Sequence, residues 1–173
     1  MTREETSMMT KHFLMESPIG TLTLVSNNGV LSGLYMNVFR HGPRADDLGE
    51  CVRFGFEQAE EELREYFDRR RTQFTIPLAM EGTDFQRAVW SRLCAIPFGE
   101  TRTYGQIAEE IGNPKSVRAV GLANGRNPIS IVVPCHRVIG SDGSLTGYGG
   151  GLERKKFLLE LEGALETKQL MLV

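Results

Sequence analysis

TYGQIAEEIGNPKSVRAVGLAN, residues 103–124, decides how the whole chain is read. Thr103 offers a hydroxyl to a backbone N–H of a first helical turn, and Gln106 stands three residues on, the spacing of a capping box. The pattern predicts a short helix over Tyr104–Ile111, stopped by Gly112-Asn113-Pro114. Pro114 suits the first turn of a further helix, predicted over Lys115–Asn124. Two short helices about a tight Gly-containing turn form a helix-turn-helix candidate. The same pair also serves as a plain packing unit, so spacing alone leaves both readings open.

Outward from this pair, Thr83 or Asp84 caps an upstream helix whose face is Phe85, Val89 and Leu93, and Ile96-Pro97-Phe98-Gly99 ends it. Downstream, Ile129–Val133 is a continuous β-branched run and predicts a buried strand. A Gly-rich loop over Gly140–Gly151 and a last helix over Leu152–Leu161 follow, and the tail Glu166–Val173 carries no motif. The N-terminal half has a different texture. Phe13–Val25 alternates apolar and polar around Ser17-Pro18-Ile19-Gly20, Asn27-Asn28-Gly29 signals a turn, and Val30–Val38 resumes, which predicts an antiparallel hairpin or meander. A polar loop from His41 to Gly49 precedes helical spacing over Cys51–Phe67, with Phe56, Ala59, Leu63, Tyr66 and Phe67 near one face. Phe74–Leu78 reads as a short strand, and Glu81-Gly82-Thr83 joins the two halves.

Composition excludes several classes. The 173 residues are 40% hydrophobic and 24% charged, an ordinary globular balance. No run approaches the ~20 apolar residues of a membrane span, and Met1–Lys11, with Glu4 and Glu5, has no secretory apolar core. Three widely spaced cysteines, an odd number, argue against a disulfide framework and for the reducing cytoplasm. The formal net charge of −2 is unevenly spread. Residues 1–80 hold nine Lys/Arg against twelve Asp/Glu, and residues 81–173 hold eleven against ten. No acid falls between Glu110 and Asp142, while Lys115, Arg118, Arg126 and Arg137 do; charge alone leaves open a basic surface that meets phosphates and a solvated face that happens to lack acids.

The chemistry-bearing stretch is Ile131-Val132-Val133-Pro134-Cys135-His136-Arg137-Val138-Ile139. A thiolate is a strong nucleophile, but a free thiol has a pKa of ~8.5 and needs help to ionise. His136 is placed to act as its base, directly or through a water, and Arg137 to favour the anion. Cys94 and Cys51 read instead as small buried hydrophobes. Zinc is a poor fit, because no Cys-x-x-Cys pair exists and His12 and His41 lie far from the cysteines.

The C-terminal half resembles the O6-alkylguanine-DNA alkyltransferases. The resemblance rests on Thr83-Asp84-Phe85-Gln86 with Val89-Trp90, on Ile96 to Thr101, on Thr103 to Ala108, and on Arg118-Ala119-Val120-Gly121 with Asn127-Pro128. It continues through Val133 to Val138 and Gly147 to Leu152, and closes on Lys155 and Leu158 to Glu162. It implies an α+β protein with an N-terminal ribonuclease H-like α/β domain over 1–80 and a C-terminal helical winged helix-turn-helix domain over 81–173. Cys135 is then the alkyl acceptor, His136 its water-bridged base and Glu162 the carboxylate orienting that histidine. Asn127 ties the turn after the recognition helix to the nucleophile's segment, and Tyr104 donates to the guanine. Tyr148, Gly149 and Val138 line the base pocket, with a backbone amide at Gly149 where some relatives carry serine. Arg118 fills the vacated stack, and the small residues Ala119 and Gly121 let the helix approach the minor groove. The implied partner is double-stranded DNA carrying O6-alkylguanine, met by a monomer whose binding to DNA can be cooperative. Neither a metal, a cofactor nor a membrane is implied. Three rivals are a damage-binding relative lacking the nucleophile, against which Cys135 counts, a sequence-specific helix-turn-helix regulator, and a cysteine hydrolase using Cys135, His136 and Glu162.

Overall fold

The computed structural model describes residues 9–36 and 43–165. The residues of the tail 166–173, the end of the predicted Val30–Val38 strand and His41 lie outside the described residues. The architecture is mixed α+β, with a small sheet in the N-terminal half and helices dominating the C-terminal half.

Alternation with period two drives the sheet. Strands β1 (Thr10–Ser17), β2 (Gly20–Asn27) and β3 (Val30–Tyr35) form the expected antiparallel meander. Both turns need a left-handed backbone, supplied by Gly20 in one and by Asn28 and Gly29 in the other. A two-residue strand, β4 (Glu50–Cys51), adds parallel to β1 and gives the order β3-β2-β1-β4. Helix α1 (Glu57–Phe67) therefore begins later than the Cys51 start expected, because β4 and a bend at Gly55, with φ of 97°, use the first residues. Its buried face is Ala59, Leu63 and Tyr66, with Phe56 just before it, close to the pattern read from sequence. Phe74–Leu78 is not a strand: only Leu78 bridges, in parallel, to Leu31. Pro77 removes one of the N–H groups a ladder would need.

In the second half, α2 (Asp84–Cys94) and α3 (Tyr104–Glu110) each open on a complete capping box, Thr83 with Gln86 and Thr103 with Gln106. The next helix, α4 (Val117–Gly125), starts two residues after the expected Lys115. Residues β5 (Arg102–Thr103) and β6 (Val138–Ile139) pair in parallel, and α5 (Leu152–Leu161) closes the described fold.

Ile129–Val133 is buried as expected but is not a strand. Ile131 sits at φ of 72°, inside a three-residue turn closed by Val132 N–H donating to Ser130 O at 2.8 Å. A second such turn follows, with Cys135 N–H donating to Val133 O at 2.8 Å across Pro134 at φ −83°, ψ 66°. A β-branched residue with positive φ is strained, and the strain lies four residues before Cys135. Apolar runs report burial; they do not distinguish a strand from a buried coil.

One apolar core spans both halves. Leu22, Leu24, Leu34, Leu63, Trp90, Leu93, Ile107, Val120 and Leu158 belong to a single buried cluster. Trp90 fixes the helix pair: its indole Nε1–H donates to Ala123 O of α4 at 2.8 Å in the interior. Trp90→Phe keeps an aromatic ring but removes the indole donor, leaving Ala123 O with only the longer Arg126 N–H at 3.2 Å. We expect a stability loss of about 0.5–1.5 kcal/mol, measured by urea unfolding; an unchanged midpoint would refute the role.

Candidate active site

A 3-10 turn, Cys135–Arg137, displays three consecutive side chains in three directions, all of them buried. Val133 O and Pro134 O accept the N–H groups of Cys135 and Arg137, so the turn is held by its own backbone. Asn127 braces it from the end of α4: its Nδ2 donates to Val133 O at 2.7 Å, and its Oδ1 accepts from Ile129 N–H at 2.9 Å. Asn124 adds a longer donation to Cys135 O at 3.4 Å.

Cys135 is 4% exposed, and burial pushes its thiol up from the ordinary value. Hydrogen bonding from Asn127, the positive charge of Lys155 and hydrogen bonding from Ser130 pull the other way, without cancelling it. The thiol is thus stored protonated among groups that favour its anion. Arg137, expected to supply positive potential to the thiol, is committed elsewhere. Its Nε donates to Glu162 Oε2 and its Nη2 to Glu162 Oε1, both at 2.9 Å, while Nη1 donates to Ile96 O at 2.6 Å. Lys155 takes the part assigned to it. Its Nζ is buried, donates to Val138 O at 2.6 Å and Thr146 O at 2.9 Å, and has its pKa lowered by burial to about 8.

His136 is fully buried, and burial lowers its pKa, opposed by the hydrogen bond to Glu162. Its Nε2 lies 2.7 Å from Glu162 Oε1. Burial raises the Glu162 carboxyl, but the bonds and charges of His136 and Arg137 outweigh it and bring the group down to about 2. An ionised carboxylate only accepts, so Nε2 carries the proton and Nδ1 presents a lone pair. Nδ1 is one of two buried side-chain polar atoms without a partner among the described residues, the other being Asn124 Oδ1. Glu162 also accepts the Tyr66 hydroxyl at 2.7 Å, a bond from α1 across 96 positions of sequence. Gly99 passes so near the Glu162 carbonyl that an added Cβ would lie 3.1 Å away, at a φ of 83°.

Tyr104, at the start of α3, donates its hydroxyl to Thr146 O at 2.9 Å. Burial, then the neighbouring Cys135, raise its pKa to about 12, so it remains a donor. Tyr148 is buried, with its hydroxyl 3.9 Å from Met36 Sδ, and Gly149 beside it faces open space where a Cβ would meet nothing. Val138 is buried in β6 and acts here through its carbonyl. Arg118 and Ala119 are exposed on α4, and Gly121 is half-buried with only the Tyr104 ring within reach of an added Cβ, at 4.0 Å. The helix also presents Leu122, 71% exposed, between Arg118 and Arg126 at four-residue spacing. No ion pair with another described residue occupies Lys115, Arg118 or Arg126. Arg137 leaves the basic surface for the interior.

The sequence reading gave no part in the site to three residues. Lys155 stands on the apolar stripe of α5 with Leu158 and Leu159, a lysine where a hydrophobe is expected. Tyr66 lies on the buried face of α1, where its hydroxyl must find a partner, although nothing in the chain named Glu162. Leu122 is an apolar residue on an otherwise small or charged face. Cys94 and Cys51, expected inside, are both exposed, and all three cysteines are free. Among the described residues, no group of three His, Cys, Asp or Glu could hold a metal ion. No described helix is long and apolar enough to cross a membrane.

Fold and site together define a class: a small mixed α+β protein in which a buried cysteine adjoins a histidine clamped by a carboxylate, beside a helix that carries exposed Arg118 and ends at exposed Arg126. The family description "6-O-methylguanine DNA methyltransferase, DNA binding domain" matches residues 84–164. The chain is 53% identical over 154 residues to the methylated-DNA–protein-cysteine methyltransferase of Mycolicibacterium paratuberculosis, covering 89% of this chain and 93% of that one. It is 51% identical over 153 residues to the same-named protein of Methanosarcina barkeri, covering 86% and 94%. The crystal structure of Mycobacterium tuberculosis O6-methylguanine methyltransferase superposes with a TM-score of 0.83 at 47% identity, covering 95% and 99% of the two chains. That of the M. tuberculosis protein in complex with DNA gives 0.81 at 48%, covering 94% and 98%. The chain belongs to the methylated-DNA–protein-cysteine methyltransferase family.

Because Glu162 is depressed in the folded state relative to 4.5, its stabilising effect is present above the unfolded pKa and is lost as pH falls through the folded one. We expect wild-type stability to decline between about pH 4.5 and pH 2, by an amount on the order of 3 kcal/mol from this group. Glu162→Gln should flatten that decline. Equal slopes in acid denaturation monitored at constant salt would contradict the assignment.

Proposed function

We propose that this protein repairs O6-alkylguanine, and O4-alkylthymine, in double-stranded DNA by transferring the alkyl group irreversibly to Cys135. The observation that carries the reading is the pairing of a buried thiol with a neighbouring imidazole whose Nε2 is held by Glu162 and whose Nδ1 has no partner among the described residues. His136 Nδ1 accepts the thiol proton, through a water, as the sulfur attacks. The new bond is sulfur to alkyl carbon, and the bond broken is that carbon to guanine O6. The leaving electron pair stays on the base, which regains a proton and becomes ordinary guanine. The imidazolium formed is stabilised by Glu162, the logic of a nucleophile, base and orienting acid. A thioether does not hydrolyse readily, so each molecule acts once and no cofactor is called for.

A thiol in a pocket cannot reach a stacked base, so the lesion rotates out of the duplex. Tyr148 offers a face for stacking, Gly149 the open space beside it and Val138 an apolar wall. Tyr104 supplies a donor that assists departure of the base, and Asn127 keeps the nucleophile's turn in place. Helix α4 enters the minor groove, where Ala119 and Gly121 permit close approach and Arg118 fills the vacated stack. Lys115 and Arg126 meet phosphates, giving affinity with little sequence reading.

The fold is assigned in the same way. Residues 1–80 form a ribonuclease H-like unit, supported by a three-stranded antiparallel meander extended by a parallel strand and backed by α1. Residues 81–173 form a winged helix-turn-helix unit, supported by the α3–α4 pair and the β5–β6 ribbon. The protein acts as a monomer in the cytoplasm.

Incubation with duplex DNA containing O6-methylguanine should leave one methyl group on the Cys135 peptide, read by mass spectrometry. Methylation elsewhere, or turnover beyond one equivalent as a hydrolase would give, refutes the reading. Arg118→Ala should slow duplex repair by about tenfold or more, as expected for loss of a contact of ~1–3 kcal/mol, while sparing reaction with free O6-benzylguanine. Equal loss on both substrates rejects the stacking role.

A further inference from the structure

We infer that Tyr66 is a positioning residue of the alkyl-transfer site: its phenol, delivered by α1, shares Glu162 Oε1 with the His136 imidazole and sets how tightly that imidazole holds a proton. The inference rests on the reading of His136 as the base for Cys135.

Three donors converge on Oε1: the Tyr66 hydroxyl at 2.7 Å, His136 Nε2 at 2.7 Å and Arg137 Nη2 at 2.9 Å. Among the described residues only Arg137 Nε reaches Oε2, at 2.9 Å. A carboxylate oxygen has two lone pairs, so three donors on one oxygen compete for the same electron density. The phenol therefore weakens the hold of Glu162 on the imidazole. Less negative density facing Nε2–H means a less stable imidazolium and a lower affinity for a second proton at Nδ1. The consequence suits the chemistry, since Nδ1 accepts a thiol proton only while it is bare.

The aim of the hydroxyl is fixed by packing. Tyr66 is 1% exposed, and its ring is held among Phe67 and Phe74, each 5.4 Å between centroids, and Phe98 at 6.1 Å. Phe98 also lies under the Arg137 guanidinium, at 5.9 Å. Burial, together with the charge of Glu162, holds the phenol far above its ordinary range, so it donates at every pH at which the protein is folded. The other ionisable groups that act on the imidazole come from different elements: Arg137 from the same turn and Lys155 from α5, with Cys135 next to it in the turn. Tyr148 from the Gly-rich loop faces the Tyr66 and Glu162 end, and Cys94 of α2 faces Arg137. None of these touches Oε1 except Arg137, whose charge is constant. The phenol is thus the uncharged donor that competes with the imidazole for that oxygen, and it comes from the half of the chain that carries none of the proposed catalytic groups.

Tyr66→Phe removes the hydroxyl and keeps the ring. The assigned His136 imidazole, titrated by ¹⁵N NMR, should rise in pKa by about half a unit or more. The acid limb of the rate of Cys135 alkylation by free O6-benzylguanine should move to higher pH by the same amount. A variant that melts earlier yet leaves both readouts where they are in the wild type would make Tyr66 merely structural and overturn the inference. If Tyr66→Phe does not fold, 3,5-difluorotyrosine placed at position 66 is the stronger donor, and both readouts should move down instead; no movement overturns the inference equally. A wild-type protein that leaves Cys135 unalkylated would refute the functional reading alone, because the NMR titration still decides the effect of Tyr66 on His136.

Discussion

A carboxylate shut away from water has to recover in direct contacts what hydration would have given it. Glu162 does so with four hydrogen bonds from three side chains, and the arrangement of the site follows from that requirement. One donor is the imidazole next to Cys135, which is thereby fixed in one tautomer and one orientation. Another is a guanidinium that also holds Ile96 O and so anchors the end of α2. The last is a phenol from the opposite half of the chain. The carboxylate is in this sense a joint: α1 through Tyr66, the end of α2 through Arg137 and Ile96, and the turn bearing the thiol all meet on it.

The surroundings of Cys135 obey a complementary logic. A thiol kept permanently ionised would be exposed to oxidation, whereas one whose burial holds its proton waits for a base. Burial raises the thiol, and Asn127, Ser130 and Lys155 stand ready to favour the anion once the proton has gone. Lys155 contributes twice, since the same ammonium clips Val138 O to Thr146 O and so ties the segment after Cys135 to the Gly-rich loop. That loop carries Tyr148 and Gly149, so the charge that favours the thiolate also helps shape the space in front of it.

Much of this was legible in the sequence because it depends on local rules. The capping box at Thr103, a cap at Thr83 or Asp84, the meander, the buried face of α1 and the stop after α2 are set by residues within a few positions of one another. The sulfur and its imidazole are neighbours in the chain, and Glu162 and Asn127 were reached through resemblance. What escaped depends on long-range partnership. Nothing in the stretch around Tyr66 points to a carboxylate 96 residues away, and nothing around Lys155 says its amine will face a thiol. Arg137 was misjudged for the same reason: its place beside Cys135 suggested a charge for the thiol, but the turn directs consecutive side chains apart. Ile129–Val133 was misjudged because hydrophobicity encodes depth, while the positive φ at Ile131 is imposed by the two turns that deliver Cys135.

Whether an everted lesion reaches the group at position 135 is decided by a crystal structure of the Cys135→Ser variant with duplex DNA containing O6-methylguanine. We expect an extrahelical guanine against Tyr148, its methyl group turned toward residue 135, with Arg118 in the gap left in the stack. A guanine still paired inside the duplex, or α4 held away from the minor groove, would contradict this expectation.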